Sequence, residues 1–436
     1  MGDDSGRSDE SGNITHLKVD EREKYAGKNK KCGKIKRGTK MGEKTIEKNA
    51  ITEGVIWKQL LIFFFPIMLG TLIQQLYTTV DTIIVGRFVG KAALASVGGP
   101  AAVLSTIVVT FFNGLANGAA VIIAQYYGAK DRKSLHVGLH TAYLFSIVIS
   151  LIVSLVGTVL TPWLLTIMNT PQDMMADSTI YLRIYFMGIL FTLVYNMGAA
   201  IMRAVGDSRR PLLYLLVCCV MNIILDIVMV VGMKMGIAGA ALATVISQCV
   251  SAIQVTWSLT RAYDAMKLKF RELRMDARVL KKELKIGVPG ALQACAYGVT
   301  NVVIQASVNS FGTDTAAGWA AYGKLDLIFW TVSSALGAAV TTFAGQNYGA
   351  GKMDRVYKSI WVNVVISYIF TGAIIVILFV FCEPLYHMFT TDPKVIEIGV
   401  YMLRFLIPSY LLSVLLENLS GGLRGLGDVF WPTVFT

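Results

Sequence analysis

Charged residues are scarce in this chain: Asp, Glu, Lys and Arg make up 16% of its 436 residues, whereas a soluble protein carries about 25%. Hydrophobic residues, in contrast, make up 54%. Apolar runs such as 60–86, 146–160 and 360–381 are typical of transmembrane helices, since about 20 apolar residues span the hydrocarbon core. The composition therefore predicts a membrane protein with many spans.

Histidine and cysteine are also few, and neither has the spacing of a metal site. The four histidines are scattered, with no HExxH arrangement, so nothing supports a metal-dependent enzyme. Most of the six cysteines fall in apolar runs, where cysteine behaves as a small hydrophobic residue, and we expect no disulfide framework. No apolar stretch precedes residue 55, so we expect no cleavable signal peptide. A membrane-embedded enzyme would need a nucleophile–base pair or metal ligands at membrane depth, and the sequence contains neither.

What the sequence does contain is an internal repeat. The motif Arg203-Ala-Val-Gly-Asp207 recurs as Arg424-Gly-Leu-Gly-Asp428 at an offset of 221. The same offset relates Gln125, Tyr127, Gly128 and Ala129 to Gln346, Tyr348, Gly349 and Ala350. Duplicated bundles of membrane helices enclose one central cavity in many transporters. The repeat therefore favours transport across a membrane.

The apolar runs predict ten membrane spans and an all-α fold. The spans are 57–86, 92–127, 134–165, 177–204, 209–232, 236–262, 284–309, 315–347, 356–387 and 395–424. We expect a polytopic membrane protein with two pseudo-symmetric lobes related by a parallel repeat, six helices in the first and about four in the second. The predicted organisation is a tail at 1–50, a first lobe at 51–264, a linker at 265–283 and a second lobe at 284–436.

Lys and Arg are distributed unevenly between the two sides of this topology. Nineteen lie at the even-numbered junctions and the end of the last span, against four at the odd-numbered junctions. The positive-inside rule then predicts that both termini are cytoplasmic, in a cell membrane. The net charge of +12 follows mostly from topology, so we expect no binding to nucleic acid.

The amino-terminal tail is polar, and residues 28–40 contain seven Lys or Arg without an acid. This composition predicts a disordered cytoplasmic tail that helps to set the orientation. Contact with anionic lipid headgroups is the alternative.

Acidic side chains at membrane depth are costly and are usually functional. Asp81 in span 1 shares one helical face with Gln74 and Tyr77, at spacings of three and four residues. A polar stripe on an apolar helix is expected to face a cavity or a partner.

Asp226 in span 5 follows Asn222 by four residues, so the two side chains share a face. Counting residues from the turn between spans 5 and 6 puts Thr244 at a depth in the membrane similar to that of Asp226. By the same count Asp81 lies no deeper. Such oxygen atoms suit a hard cation such as Na⁺, and the carboxylates alone could exchange a proton. A packing network of hydrogen bonds is the alternative.

The second half of the chain is less regular. Glu417 in span 10 follows Ser413 by one turn, and it either faces the cavity or packs against a neighbour. Gln293 is a polar position in span 7. Lys324 and Asp326 in span 8 are expected to form a local structural pair.

Pro66 lies in the interior of span 1, fifteen residues before Asp81, and Pro289 is its counterpart in span 7. Proline removes one helical hydrogen bond and bends the helix. Each proline is therefore either a static kink or a hinge.

These features together resemble the multidrug and toxic compound extrusion (MATE) family, in a bacterial DinF-like or related branch. The resemblance runs from about Thr52 to the end of the chain. The motifs that carry it are Pro66 with Gln74, Asp81-Thr82 and Val85-Gly86-Arg87 in span 1, Asn222-x-x-x-Asp226 in span 5, Gly239-Ala240-Ala241-Leu242-Ala243-Thr244 in span 6, and Arg-x-x-Gly-Asp at the end of both repeats.

The resemblance implies two six-helix lobes and export of amphipathic organic cations, driven by inward Na⁺ or H⁺ with no other cofactor. It implies a cation site in the first lobe, formed by Asp81, Asn222, Asp226 and Thr244, and bending of the first helix at Pro66. The NorM-like branch also uses acids in helices 7 and 10. Here Gln293 and Tyr297 stand in helix 7, and Ser413 lies near the helix 10 position.

The leading prediction is thus a monomeric multidrug antiporter in the lipid bilayer, with small cationic amphipathic substrates. The alternative within transport is a flippase for lipid-linked saccharides, which would need a strongly cationic cavity. A receptor or scaffold that uses the basic tail belongs to another class. Cation-coupled dye efflux from vesicles separates transport from the non-transport classes.

Alignment of the repeats also predicts that the second lobe is incomplete. At an offset of 221, Thr436 lies opposite Leu215, and the second repeat has no counterpart for roughly fifty further residues of the first. We therefore expect two helices to be absent, with 432–436 as the start of the eleventh span. One side of the second lobe would then be exposed to lipid.

Overall fold

The computed structural model describes residues 50–262 and 264–435. Helices account for nearly all of these residues, and no strand occurs among them. The predicted all-α fold is confirmed. The prediction of a disordered tail at 1–50 falls outside the described residues, apart from Ala50.

Long helices connected by short turns form the bundle, and we label them in chain order. They are α1 (Ile56–Phe88), α2 (Ala102–Gly128), α3 (Arg132–Ile167), α4 (Gln172–Ala204), α5 (Arg209–Asp226), α6 (Gly236–Thr260), α7 (Ala277–Ser310), α8 (Thr313–Gly349), α9 (Met353–Val380), α10 (Pro393–Leu406) and α11 (Ser409–Leu426). Shorter helical segments lie at Ala50–Glu53, Lys91–Ser96, Val97–Ala101, Ile227–Gly232, Asp264–Met266, Phe270–Glu272, Cys382–His387 and Phe430–Phe435.

A helix lies at each of the ten predicted spans. Within the described residues, eight helices are long and apolar enough to cross a membrane, and α10 with α11, bent by 47°, forms a ninth candidate. Helix α7 does not meet this criterion. Polar side chains interrupt its apolar character at Gln293, Asn301, Gln305 and Asn309. The membrane character is confirmed, and α7 as a tenth span stays a prediction.

Aspartate side chains cap the amino-terminal ends of several of these helices. The Asp131 side chain accepts a hydrogen bond from the backbone N–H of Ser134 at the start of α3. Asp276 does the same for α7, and Asp392 for α10. Such caps satisfy backbone donors that have no partner within the helix. They lie in the polar junctions and so set where the long apolar helices start.

Helices of the two repeats pack tightly where both carry small residues. A Cβ atom added at Gly118 of α2 would lie 2.4 Å from the backbone nitrogen of Gly287 in α7. One added at Gly114 would lie 2.4 Å from the Cα atom of Ala291. Close backbone approach at small residues is a common way for membrane helices to associate. Helix α2 is therefore held against α7, the first helix of the second repeat.

We use the term basic end for the end of the bundle that contains the junctions 128–133, 203–210, 260–278 and 349–355, where Lys and Arg are concentrated. There α2 crosses α8. The side-chain amide of Gln125 donates to the carbonyl of Gly425 at 3.0 Å, and that of Gln346 donates to the carbonyl of Ala204 at 2.7 Å. Each bond joins one repeat to the other, and the offset of 221 converts one into the other. The sequence repeat therefore appears in three dimensions as a pseudo-symmetric pair of contacts.

Towards the opposite end, α7 has little cover. Residues 296–307 are all exposed, among them Val299 and Val302. The amide of Gln305 donates to Asn309 within the same helix rather than to a neighbouring helix. This uncovered face belongs to the second repeat.

Candidate cation site and central cavity

Two buried acids, Asp81 and Asp226, meet within the first repeat. Helix α1, which carries Asp81, packs against α5, which carries Asp226. The exposed fraction is 6% for Asp81 and 0% for Asp226. Their carboxyl groups are close enough for a hydrogen bond if one of them holds a proton. The structure thus brings together two acids that are 145 residues apart in sequence.

Five buried polar atoms of these two acids and of the neighbouring Asn222 have no hydrogen-bond partner within the described residues. The atoms concerned are Oδ1 of Asp81, both carboxyl oxygens of Asp226, and both amide atoms of Asn222. Buried polar atoms almost always have a partner, because leaving one unpaired is costly. A packing network, the alternative reading of the sequence, would link the two carboxyl groups through a shared proton. Without that proton, the oxygen atoms are available to a cation.

Local helix geometry positions the amide and one of the acids. Asn222 lies one turn before Asp226 on α5, and both side chains are fully buried. Directly after Asp226 the helix widens into a π-helical turn at Ile227–Gly232. Such turns often occur at functional sites because they change the direction of the side chains beside them. Thr244 is buried on α6, which packs against α5.

Tyr181 of α4 lies beside the two acids, and sequence reasoning missed it. Tyr181 is buried and lies close enough to Asp81 and Asp226 to interact electrostatically with both. Its ring stacks on that of Tyr185, with 6.3 Å between the centroids. Tyr77 of α1 lies near Asp81 and Tyr185. The chain pattern offered no signal for Tyr181, because nothing in the spacing shows which side chains of other helices lie near the acids.

The polar stripe on α1 is only partly buried. Gln74 is exposed, Tyr77 is half-buried and Asp81 is buried. The stripe therefore leads from the surface of the described bundle inward to the paired acids. Tyrosine faces attract organic cations, so the stripe is chemically suited to guide one.

Pro66 separates two differently packed parts of α1. The helix is continuous from Ile56 to Phe88 and contains Pro66. Before the proline, Phe63 and Phe64 pack in a hydrophobic cluster with α8 of the second repeat. After it, the helix reaches Asp81 within the first repeat. The proline thus lies between the part of α1 held by one repeat and the part that carries the site of the other.

A separate cavity of about 220 Å³ lies between the repeats near the basic end. Glu417 lines it, which is one of the two placements the sequence allowed. Its carboxylate accepts a hydrogen bond from Nη2 of Arg424 at 2.7 Å, and the two side chains are 21% and 26% exposed. Arg203, the repeat counterpart of Arg424, also lines the cavity. Asn196 stands where the second repeat has Glu417, so the cavity is asymmetric in charge.

Other predicted positions in the second repeat lie elsewhere. Gln293 is buried and its amide donates to the carbonyl of Pro432 at 3.5 Å. The hydroxyl of Ser413 donates to the carbonyl of Ser409 at 3.1 Å. Neither residue is among those that line the 220 Å³ cavity.

The expected pair between Lys324 and Asp326 is wrong. Asp326 accepts a hydrogen bond from the Tyr410 hydroxyl at 2.6 Å and a longer one from Tyr322. Residues two apart on a helix point in different directions, which prevents the lysine from reaching the acid. Asp326 instead joins α8 to α11 in the described structure.

Comparison with known proteins extends over most of the chain. The MatE family model matches residues 66–228 and 289–436. The chain is 29% identical to the probable multidrug resistance protein YoeA of Bacillus subtilis (strain 168), over 87% of this chain and 84% of that protein. It is 32% identical to the probable multidrug resistance protein YpnP of the same organism, over 81% of this chain and 79% of that protein.

The fold is also shared with solved structures. One is the outward-facing conformation of a multidrug resistance MATE family transporter of the MOP superfamily. It matches with a TM-score of 0.82 at 21% identity, over 90% of this chain and 87% of that chain. The similarity covers both repeats, and at this identity it supports the fold.

Proposed function

We propose that this chain, which belongs to the MatE family of transporters, exports organic cations across the cell membrane in exchange for inward-moving Na⁺ or H⁺. Relatives that are multidrug resistance or multidrug export proteins support export of drugs as the activity. The substrates are small, amphipathic and cationic, and the protein acts as a monomer surrounded by lipid.

The observation that carries this proposal is the set of unpaired oxygen atoms on Asp81, Asn222 and Asp226. Two neighbouring carboxylates repel each other, and a bound cation or proton relieves that repulsion. A coupling ion and a cationic drug both satisfy this requirement, so the two compete for the same negative charge. Competition of this kind is the simplest basis for antiport, because binding of one favours release of the other.

The side chains around the acids suit the proposed substrates. Tyr77 and Tyr181 lie beside the negative charge, and Tyr185 stacks on Tyr181. Aromatic rings and acids together attract flat organic cations without demanding one shape. Thr244 completes the proposed cation site from α6.

We further propose that the basic end faces the cytoplasm, with both termini on that side, as the distribution of Lys and Arg favours. The contacts of Gln125 and Gln346 hold the repeats together at this end. The described structure then corresponds to a state closed towards the cytoplasm. Alternating access requires these contacts to break when drug enters.

A flippase for lipid-linked saccharides is the weaker proposal. Arg203 and Arg424 both line the cavity between the repeats, and two arginines favour an anionic headgroup. However, Glu417 pairs with Arg424 and reduces the net positive charge. A cavity of about 220 Å³ is also small for a saccharide headgroup.

The test is ethidium efflux from vesicles containing the purified protein, with Na⁺ and H⁺ gradients imposed separately. We expect one gradient to drive efflux and its collapse to stop it. Vesicles with the Asp81→Asn variant are the matched control, because they retain the protein and lose the proposed site. Absence of efflux with either gradient in the wild type would contradict the proposed function.

A further inference from the structure

Glu283 is a buried acid that the proposed cation site does not use. It lies in the second turn of α7, one residue before the predicted span 284–309, and is 3% exposed. Neither of its carboxyl oxygens has a hydrogen-bond partner within the described residues. The cation site is formed by α1, α5 and α6, so Glu283 belongs to a different place in the fold.

Glu283 is buried where the two repeats are in contact. Helix α2 packs along α7, and a Cβ atom added at Gly118 would lie 2.6 Å from the backbone oxygen of Glu283. There is no space for a side chain between the two backbones at this point. Since α2 is the main neighbour of α7, separation of the two helices would expose the Glu283 side chain to water.

The first repeat has a leucine at the equivalent position. Glu283 stands six residues before Pro289, and Leu60 stands six residues before Pro66. Leu60 is also fully buried. The position is therefore a core position in both repeats, and only the second repeat has an ionisable group there.

No nearby charge compensates Glu283. The lysines on its own helix, Lys281, Lys282 and Lys285, are all exposed. The elements packed against α7 are α2, α3, α8 and the segment Phe430–Phe435. Their titratable groups towards the basic end are Tyr126 and Tyr127 on α2, Arg132, Lys133, His136 and His140 on α3, Tyr348 on α8, and Asp428 before the terminal segment. Among the described residues, burial rather than a charged neighbour sets the cost of ionising Glu283.

We propose that Glu283 is a proton-binding site in the contact between α2 and α7, and that its protonation stabilises the closed arrangement of the basic end. An ionised carboxylate without a partner is costly to bury, whereas the neutral acid is tolerated. Opening of the contact hydrates the group and lets it ionise. The ligand of this site is thus a proton taken from the side that the basic end faces.

The direction of the pH dependence follows from linkage. The closed arrangement binds the proton more tightly than the open one, so it loses stability as pH rises. The effect begins above about pH 4.3, the ordinary pKa of a glutamic acid in water. It amounts at most to about a tenfold change in the open-to-closed ratio for each pH unit, because one proton is involved. Acidification on this side therefore favours closure.

This inference rests on the proposed function only in requiring that the basic end opens. The experiment measures the distance between spin labels on the full chain in nanodiscs, with the native cysteines replaced. The labels are attached at Lys133→Cys and Lys281→Cys, two exposed positions on α3 and α7. We expect the separated population to grow as pH is raised from about 5 to about 8, above the ordinary glutamic acid pKa.

In Glu283→Gln this growth should be lost, because the amide has no proton to release. Glu283→Leu, which copies Leu60, should behave identically and serves if the glutamine variant folds poorly. Asp354→Asn removes an exposed acid near the same end and should keep the wild-type response. The other ionisable groups are the same in wild type and in both Glu283 variants, so only the difference from wild type reports Glu283.

The same pH response in wild type and Glu283→Gln would overturn the proposal, as would a wild type without any response. Ethidium efflux measured on the same preparations separates the two hypotheses. Efflux together with an unaltered pH response rejects the Glu283 site alone. A Glu283-dependent response without efflux rejects the proposed function alone.

Discussion

At the scale of single residues, the proposed function depends on a few acids whose oxygen atoms lack partners among the described residues. Asp81 and Asp226 are buried side by side, and the adjacent Asn222 is equally unsatisfied. Buried polar groups without partners cost stability, and they are expected where a ligand supplies the missing contacts. The same reasoning distinguishes these acids from Asp326, whose carboxylate is satisfied by tyrosine hydroxyls.

We predict that Asp81→Asn and Asp226→Asn each reduce coupled efflux to the level of protein-free vesicles. Each change removes the negative charge that the coupling ion requires, while the helix keeps its length and packing. Gradient-driven ethidium efflux measures the effect, and chromatography of the purified variants checks folding. Asp173→Asn, at an exposed acid in the first turn of α4, is the matched control and should transport normally. Wild-type rates in both variants would contradict the site.

Glu417 is predicted to act through charge rather than packing. It lines the cavity and holds Arg424, so Glu417→Gln leaves that arginine without its carboxylate. The positive charge then repels cationic substrates, and we expect their affinity to fall about fivefold, roughly 1 kcal/mol. Binding titrations with ethidium and with a neutral dye measure the difference. An equal change for both dyes would leave Glu417 as a packing residue.

At the scale of helices, close contacts at the basic end depend on glycine. A Cβ atom added at Gly128 would lie 1.9 Å from the carbonyl oxygen of Gln346, and one added at Gly349 would lie 1.9 Å from that of Gln125. The methyl group of an alanine cannot fit there without moving α2 away from α8. The close packing of α2 on α8 at the basic end therefore requires glycine at these two positions.

We predict that Gly128→Ala or Gly349→Ala destabilises the purified protein by about 1–3 kcal/mol and slows efflux, because overpacking forces the backbones apart. Thermal unfolding in detergent and dye efflux measure the two effects. Gly323→Ala is the matched control in α8, since a Cβ atom there meets nothing within 4 Å. Similar stability in all three variants would show that the crossing adapts without cost.

Helix α1 is predicted to need its proline for movement rather than for stability. A proline in a helix interior costs about 3 kcal/mol relative to alanine, so Pro66→Ala should raise thermal stability if α1 remains straight. If the proline is a hinge, efflux falls in the same variant because the Asp81 segment no longer moves relative to the part packed on α8. Unchanged efflux with higher stability would identify Pro66 as a static feature.

At the scale of the whole molecule, the two repeats are held together by equivalent contacts. Gln125 and Gln346 each donate to a carbonyl of the opposite repeat, and each lies on the second helix of its own repeat. This pseudo-symmetry relates the basic end of one repeat to that of the other. Two acids of the second repeat depart from this pseudo-symmetry. The counterpart of Glu417 in the first repeat is Asn196, and that of Glu283 is Leu60.

We predict that Gln125→Ala and Gln346→Ala have equal effects. Each removes one hydrogen bond between repeats, so each should cost about 1 kcal/mol in thermal stability and shift the spin-label distances towards the separated state. Gln75→Ala, at an exposed position of α1, is the control and should change neither quantity. A large effect of only one of the two variants would show that the repeats contribute unequally to closure.

Much of this protein could be predicted from its sequence because the relevant properties are local. Long apolar runs predict membrane helices wherever they occur, and the ten predicted spans each coincide with a helix. An acid inside an apolar run is costly to place in a membrane. This cost made Asp81, Asp226 and Glu417 candidate functional residues from the sequence alone. Spacing along one helix also placed Asn222 beside Asp226.

Only the tertiary structure decided which of these helices meet and what each polar group touches. Tyr181 of α4 lies near Asp81 and Asp226, and Arg424 reaches Glu417 from two turns away. Asp326 binds Tyr410 rather than Lys324, and Glu283 is buried without a hydrogen-bond partner on the helix that packs against α2. The physical reason is that apolarity makes a segment helical and membrane-bound from its own residues alone. The neighbours of a side chain, in contrast, depend on how helices far apart in the chain fit together.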